Sequence, residues 1–455
     1  MEPAHAKDNL SRLLSVLHQS GSTTLDGASY TVDKPGNRTA KTDQYANVTS
    51  NYTYDPIYEL TQVTQATNTT ESYTFDAVGN RLSSLGVPSY TNNSSNELTS
   101  TPSTTYDSNG NTLTKVVGSN TTTYAWDFEN RLTSVTLPGS GGTVSFAYDP
   151  FGRRIKKVTS TTTSIFAYDG DNLIEESNAS GTAVARYEPT QNIDEPLAVL
   201  RSGATSYFHA DGLGSITSLS SSAGSIANTY DSFGKLTAST GSLVNPFQYT
   251  ARESDTETGL YYYRARYYDP APGRFLSEDS IRFDAGPNFY SYVGNHPGLF
   301  TDPYGASPCP PQKKCGIKKA PEYGVSGAVP GGTTFAWGAE FLNDATHDPK
   351  CCEVRQLISW NNALNGVPHE GFPGGLQAGG WYEDRDQAGK RYGRRTGPYS
   401  DPIPGIDDYH GNGYNGKDQP SGYPPGVTFR FRLIVVDKCS GGETIYTSKT
   451  ISVNF

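Results

Sequence analysis

The chemically capable side chains beyond residue 306 are many but scattered. His347-Asp348, His369-Glu370, Glu383-Asp384-Arg385-Asp386 and Asp407-Asp408-Tyr409-His410 supply metal-ligand types, and Lys390, Arg391, Arg394 and Arg395 form the one local basic cluster. A catalytic zinc site needs ligands at fixed helical or loop spacing, such as HExxH or paired CxxC, and neither spacing occurs. No metal or other cofactor is therefore expected. The five cysteines, Cys309, Cys315, Cys351, Cys352 and Cys439, all lie in this same stretch. Their number is odd, so at least one thiol is left unpaired, while a bridge from Cys351 or Cys352 to Cys439 is one arrangement open to the others.

Charge divides the chain at the same place. Residues 307–455 carry 16 Lys/Arg against 15 Asp/Glu, whereas residues 1–306 carry 20 against 31. With a formal charge of −10 the chain lacks the basic face of a nucleic-acid binder, and a nucleic-acid partner is not expected for the first part. No run of about 18 apolar residues marks a membrane span, and no secretory signal is visible at the start. Composition adds 48 Gly, 29 Pro and 31 Tyr to a hydrophobic content of 34%. That mixture suits short strands and polar turns rather than a helical enzyme.

The elements that must position any site are repeats. An aromatic residue followed by Asp recurs at Tyr54-Asp55, Phe75-Asp76, Tyr106-Asp107, Trp126-Asp127, Tyr148-Asp149, Tyr168-Asp169 and Tyr230-Asp231, with a weaker copy at Asp33. Most successive aspartates are 20 to 22 residues apart. Each begins a turn that often contains Gly, and an alternating strand follows. Asp bonds backbone N–H groups two residues on, and Gly permits a positive φ, so each unit reads as strand, turn, strand. One hairpin cannot bury its aromatic face, but stacked copies can, which predicts a long antiparallel array. Its aromatics are expected to face inward, with each Asp a turn former.

At Gly259 the repeat gives way to GLYYYRARYYDPAPGRFLSEDSIRFDAGPNFYSYVGNHPGLFTDPYG, which ends at Gly305. This block resembles the RHS-repeat-associated core, and the units before it resemble the YD repeats of RHS, toxin-complex C and teneurin-like shell proteins. The resemblance covers roughly residues 8–305. It implies a mainly β protein: a YD-hairpin array over 1–258 forming a partial shell, and a core plug with possible autoprotease function over 259–306. A linker over 307–332 and a variable C-terminal domain over 333–455 would follow. The function implied is a shell segment of a bacterial, secreted or surface-exposed protein that carries a payload for competition or toxin delivery. Its partners would be its own C-terminal domain, a missing N-terminal shell portion, an immunity protein or secretion machinery. A carbohydrate-binding or adhesive surface is the alternative that Tyr and Asn richness suggests.

Relatives of this block cut themselves with two aspartates. Gly273-Arg274-Phe275 followed by Asp279 matches the first motif, and Pro297 followed by Asp302-Pro303-Tyr304-Gly305 matches the second. Ser280 and Ala306 stand where such relatives usually have Pro and Leu. The resemblance implies that Asp279 and Asp302 share a proton, as close carboxylates do, and cut between Ala306 and Ser307. The alternative is structural, because D-P-Y-G is also a type I turn and Asp279 can cap another.

In the tail, Asp348-Pro349 before KCCEVRQLISWNNALNG predicts a helix ending at Gly366. Thr428–Asp437 and Thr444–Phe455 predict a terminal hairpin. The tail is expected to be small α+β or mostly β.

Overall fold

The computed structural model describes residues 4–306, apart from residues 45, 223 and 285 and the side chain of Asp284, and beyond residue 316 the backbone of strands alone. The chain separates into two units, Met1–Gln312 and Lys313–Phe455.

The first unit grows by adding each strand beside the one before. Eight strands from Ala4–Lys7 to Arg81–Ser84 pair in chain order, and fourteen more do so from Ser103–Tyr106 to Leu236–Gly241. A short pair, Thr91–Asn92 and Leu98–Ser100, lies between them in sequence. Sequential hairpins put alternate turns on opposite edges, so the Asp turns share one edge of the array.

The turn chemistry repeats closely. The Asp107 carboxylate accepts the N–H groups of Asn109 and Asn111, both at 2.9 Å, and the Asp149 carboxylate accepts those of Phe151 and Arg153 at 2.9 and 3.0 Å. The same pair of bonds forms at Asp55, Asp76, Asp127, Asp211 and Asp231. Three residues after each of these aspartates φ is positive, which is why Gly stands at 79, 110, 152, 214 and 234, with Tyr58 and Asn130 as exceptions. A bulge just before the turn shifts the register at Tyr54, Trp126, Tyr148 and Tyr230. Bulges increase local twist, so a regular series of them curls the array.

The aromatic partner of each Asp is half-buried and reaches sideways. Tyr54, Trp126, Tyr148 and Tyr230 donate to the carbonyls of Arg38, Thr112, Leu132 and Ile216 at 2.7, 2.7, 2.6 and 2.9 Å. Each acceptor is the first residue of the strand that follows the preceding Asp turn. The spacing of the repeat is therefore the distance from one turn to the neighbour it braces. Asp169 departs from the pattern, since its strand closes directly on Asn172.

The curled array meets itself. His18, from an early strand, lies 2.8 Å from the carbonyl of Ala210, and Lys41 pairs with Asp211 at 2.6 Å. Further along, Phe233 packs edge-on against Tyr73, with the Arg81 guanidinium 4.2 Å over its ring.

Inside sits the block that follows Gly259. Strands Leu260–Tyr263 and Arg266–Asp269 are buried at all eight positions. Tyr261, Tyr263, Tyr268, Phe275 and Tyr292 merge with Leu60, Val63 and Tyr73 of the wall into one core. At about 2 kcal/mol per buried aromatic, this packing is a large share of what orders the unit. Ion pairs add a second fastening. Arg154 of the wall, 1% exposed, pairs with Glu253 at 2.8 Å and Asp255 at 2.5 Å.

The second unit is built of strands among its described residues, in two five-stranded sheets. The helix expected from Asp348 to Gly366 is corrected: Cys352–Asn361 is a strand paired along its length with Val427–Asp437. Val354, Ile358 and Trp360 favour extended backbone, and a full-length partner strand satisfies its polar groups, which outweighs the helix-start signal. Residues 348–351 and 362–366 of that expectation lie outside the described residues. The terminal hairpin is present, with Val427–Asp437 paired to Glu443–Thr447 and then to Ile451–Val453. Within the stretch expected as a linker, Ile317–Val329 forms a strand against Gly332–Phe341. The cysteine pairing and the tail's candidate ligand side chains fall outside the described residues.

Candidate active site at the end of the core block

The site is built on a two-residue hairpin. Tyr263 pairs with Arg266, so Arg264 and Ala265 form the tip, and Arg264 adopts φ +57° to make it. This tight return delivers Arg266 into the core beside the Phe275 ring, its guanidinium carbon 3.6 Å from the centroid.

Two loops bring carboxylates to that guanidinium. The chain after Phe275 turns at Asp279, whose backbone N–H donates to the Phe289 carbonyl at 3.0 Å and whose carboxylate accepts the Ile281 N–H at 3.0 Å. The chain after Pro297 turns at Asp302, whose carboxylate accepts the Ala306 N–H at 3.0 Å. Both aspartates are thus the turn formers that their sequence context suggests. They are also convergent: Arg266 Nη2 lies 2.6 Å from Asp279 Oδ2 and 3.4 Å from Asp302 Oδ2. Arg266 further donates to the carbonyls of Phe289, at 2.9 Å, and Gly305.

All three side chains are buried, with side-chain exposures of 3 to 4%. Two carboxylates that meet on one guanidinium out of water favour a proton shared between them. Burial, reinforced by the nearby charge of Asp302 and opposed by Arg266, pushes the Asp279 carboxyl up to about 6. Burial also lowers the proton affinity of Arg266.

The other motif residues shape the surroundings. Gly305 has φ +69°, and a Cβ there would sit 2.4 Å from the Tyr263 carbonyl oxygen, so only glycine lets this turn lie against the hairpin. Pro303 and Pro297 are buried in the two final turns. Gly273 and Arg274 work elsewhere. A Cβ at Gly273 would meet Arg81 at 2.5 Å, while Arg274 bonds Asn92 at 3.0 Å and covers the Tyr290 ring. They fasten the block to the wall rather than to the carboxylates. Ala306 is the last described residue of the segment, and Ser307 lies outside the described residues.

Arg266, on which the two aspartates meet, is the candidate site residue that the sequence reading missed, together with Arg264 at the hairpin tip. Their signal was present: two cations in a run of tyrosines whose neighbours must be buried need buried anions to answer them.

A curled antiparallel array, fastened through its Asp turns and closed around an aromatic plug, defines a shell of YD type. The profile of the teneurin YD-shell family matches residues 37–297, and the chain belongs to that family. The tRNA3(Ser)-specific nuclease WapA of Bacillus spizizenii is 32% identical over 273 residues, covering 55% of this chain and 12% of WapA. Toxin protein Tse5 of Pseudomonas aeruginosa is 36% identical over 101 residues, 22% of this chain and 8% of Tse5. The chain thus spans about an eighth or less of these relatives' length. The fold matches the crystal structure of TcdB2-TccC3-Cdc42 with a TM-score of 0.54 at 21% identity, over 67% of this chain and 18% of the other.

Proposed function

We propose that this chain is the closing part of a shell that holds the polypeptide beyond residue 306 as a payload and cuts it free between Ala306 and Ser307. The observation that supports the cut is the meeting of Asp279 and Asp302 on one buried guanidinium, at the point where the chain leaves the block. In the reaction, water adds to the Ala306 carbonyl carbon and gives a proton to the ionised Asp302. Asp279, whose acidity is weakened, gives its proton to the carbonyl oxygen. Collapse of the gem-diol breaks the C–N bond, and the proton returned to nitrogen leaves an Ala306 carboxylate and a free Ser307 amine. Arg266 holds the pair together and fixes the Gly305 carbonyl beside them. Because Asp279 must carry its proton, the cut is expected to slow as pH rises above about 6.

The shell's burden supports a role in delivery between bacterial cells, outside the cell that makes it. WapA is named as a nuclease and Tse5 as a toxin, each many times the length of the shared segment. Among the described residues no helix is long and apolar enough to cross a membrane. An immunity protein, secretion machinery and further shell wall are the partners this reading assigns.

Intact mass of the purified chain tests the cut. Wild type is expected to yield a separate fragment beginning at Ser307, and Asp279→Asn or Asp302→Asn to leave the chain whole, while Asp284→Asn still cuts. A folded wild-type chain that stays whole at pH 5.5 after prolonged incubation would leave the two aspartates as turn formers only.

A further inference from the structure

The segment that ends at the proposed cut is held along its length. Arg264 donates to the Pro303 carbonyl, the Ala265 N–H donates to the Tyr304 carbonyl at 3.1 Å, and Arg266 donates to the Gly305 carbonyl. The two residues of the hairpin tip and the next one, Arg266, therefore grip three successive carbonyls. Ala306, next in line, is fixed through its N–H on Asp302.

The grip is not made by the core block alone. Arg264 Nη2 lies 2.9 Å from Asp194 Oδ1 and donates to the Asp171 carbonyl at 3.0 Å. The Tyr304 phenol donates to Asp171 Oδ2 at 3.1 Å, with the Arg264 guanidinium 5.6 Å from its ring. Asp194 also binds Arg252, whose Nη2 donates to the Tyr262 carbonyl at 2.8 Å on the same hairpin. Asp171 and Asp194 both belong to the wall. Asp171 lies in the turn between Thr163–Asp169 and Asn172–Ser177, and Asp194 in the loop between Ala183–Pro189 and Pro196–Arg201. Neither is one of the repeat aspartates that brace their own turns. Both carboxylates are directed at the block instead.

We propose that these two wall hairpins license the cut: Asp171 and Asp194 set Arg264 and Tyr304, which act as positioning residues for the carbonyl that water attacks. The inference rests on the self-cleavage reading above and adds its control. Asp279, Asp302 and Arg266 lie within 37 residues of one another in sequence, so the carboxyl pair and its cation all come from the block itself. The clamp is different, because it is complete only when wall strands roughly 70 to 130 residues upstream have closed over the block. A reacting carbonyl displaced by about 1 Å loses on the order of 100-fold in rate. Release of the segment beyond Ala306 is thereby held back until these wall hairpins have formed.

The test uses the full chain and three readouts: the scission rate, the mass of the released fragment, and hydrogen exchange of the peptide spanning residues 303–306. Tyr304→Phe, which removes one oxygen, is expected to slow scission about 10-fold, and Asp194→Asn combined with Tyr304→Phe about 100-fold. The pH profile should be unchanged in both variants and the thermal midpoint in Tyr304→Phe, while the double variant, which strips a counterion from Arg252 and Arg264, is assayed well below its own midpoint. A share of the product should be cut at a neighbouring bond. Arg264→Lys should recover part of what Arg264→Ala loses. Glu195→Gln, on the same loop but bonded to Thr190 and Asn192, should leave the rate unchanged. Scission at the wild-type rate and position in the double variant overturns the proposal. If the wild type is never cut, the self-cleavage reading fails separately, and the clamp is judged by exchange alone. Faster exchange at 303–306 in the double variant upholds it, and unchanged exchange refutes it.

Discussion

Replacing Arg154 by Met should loosen this shell by stranding two buried carboxylates. Arg154 is 1% exposed and bonds Glu253 at 2.8 Å and Asp255 at 2.5 Å, two carboxylates with side-chain exposures of 8% and 1%. Met matches the stem of the side chain, so the cost comes from the stranded charges and from the lost contact of the guanidinium with the Tyr262 ring, 4.5 Å from its centroid. Lys157, 3.1 Å from Asp255, still answers one of them, but among the described residues no second cation is bonded to Glu253, which keeps the Tyr168 phenol at 3.2 Å. Removing one partner of a buried pair costs about 3 to 5 kcal/mol. For a unit of this size that lowers the unfolding midpoint by roughly 5 to 8 °C. Calorimetry and urea titration at pH 7 provide the measurement. The triple variant Arg154→Met, Glu253→Gln, Asp255→Asn should recover most of the loss, because neutral amides no longer demand a cation. A loss below about 1 kcal/mol in the single variant would show that water reaches these carboxylates and that the ion cluster does not fasten the plug to the wall.

Two further outcomes follow from the turns and the seam. Asp107→Ala removes a carboxylate that accepts two backbone N–H groups at 2.9 Å, and should cost about 1 to 2 kcal/mol in urea titrations. Asp169→Ala should cost less than about 0.5 kcal/mol, because the Asp169 turn closes through backbone pairing with Asn172. Burial and then the charge of Asp231 push Glu71 up to about 7 from an ordinary 4.5. A raised folded value means that the neutral acid favours folding, so this stability is full below about 4.5 and is lost as pH rises through about 7. Urea midpoints at pH 5 and 7.5 should therefore differ less in Glu71→Gln than in wild type, and an unchanged difference would refute the assignment.

Much of the shell was legible because its bonds are local. An aspartate that binds the amides two and four residues ahead, and a positive φ three residues ahead, are properties of a five-residue segment. The spacing of 20 to 22 residues carries the next level, since it sets which earlier carbonyl each aromatic can brace. The tail shows where local reading fails. Asp348-Pro349 and the residues after it carry a helix-start signal, yet Cys352–Asn361 pairs with Val427–Asp437, a partner more than 60 residues away that no local pattern announces.

The sequence by itself determined the strand-and-turn repeat, the aromatic block that needs burying, and the two turns that place Asp279 and Asp302. Tertiary structure decided that those turns converge on Arg266, that Arg264 is shared between Asp194 and Asp171, and that the early strands meet the late ones at His18 and Ala210. The reason is physical. Turn geometry is fixed by bonds within a few residues, whereas these contacts span up to 192 residues and depend on the twist accumulated over many bulged strands. That sum belongs to the array as a whole, and so does the position of every side chain it brings to the plug.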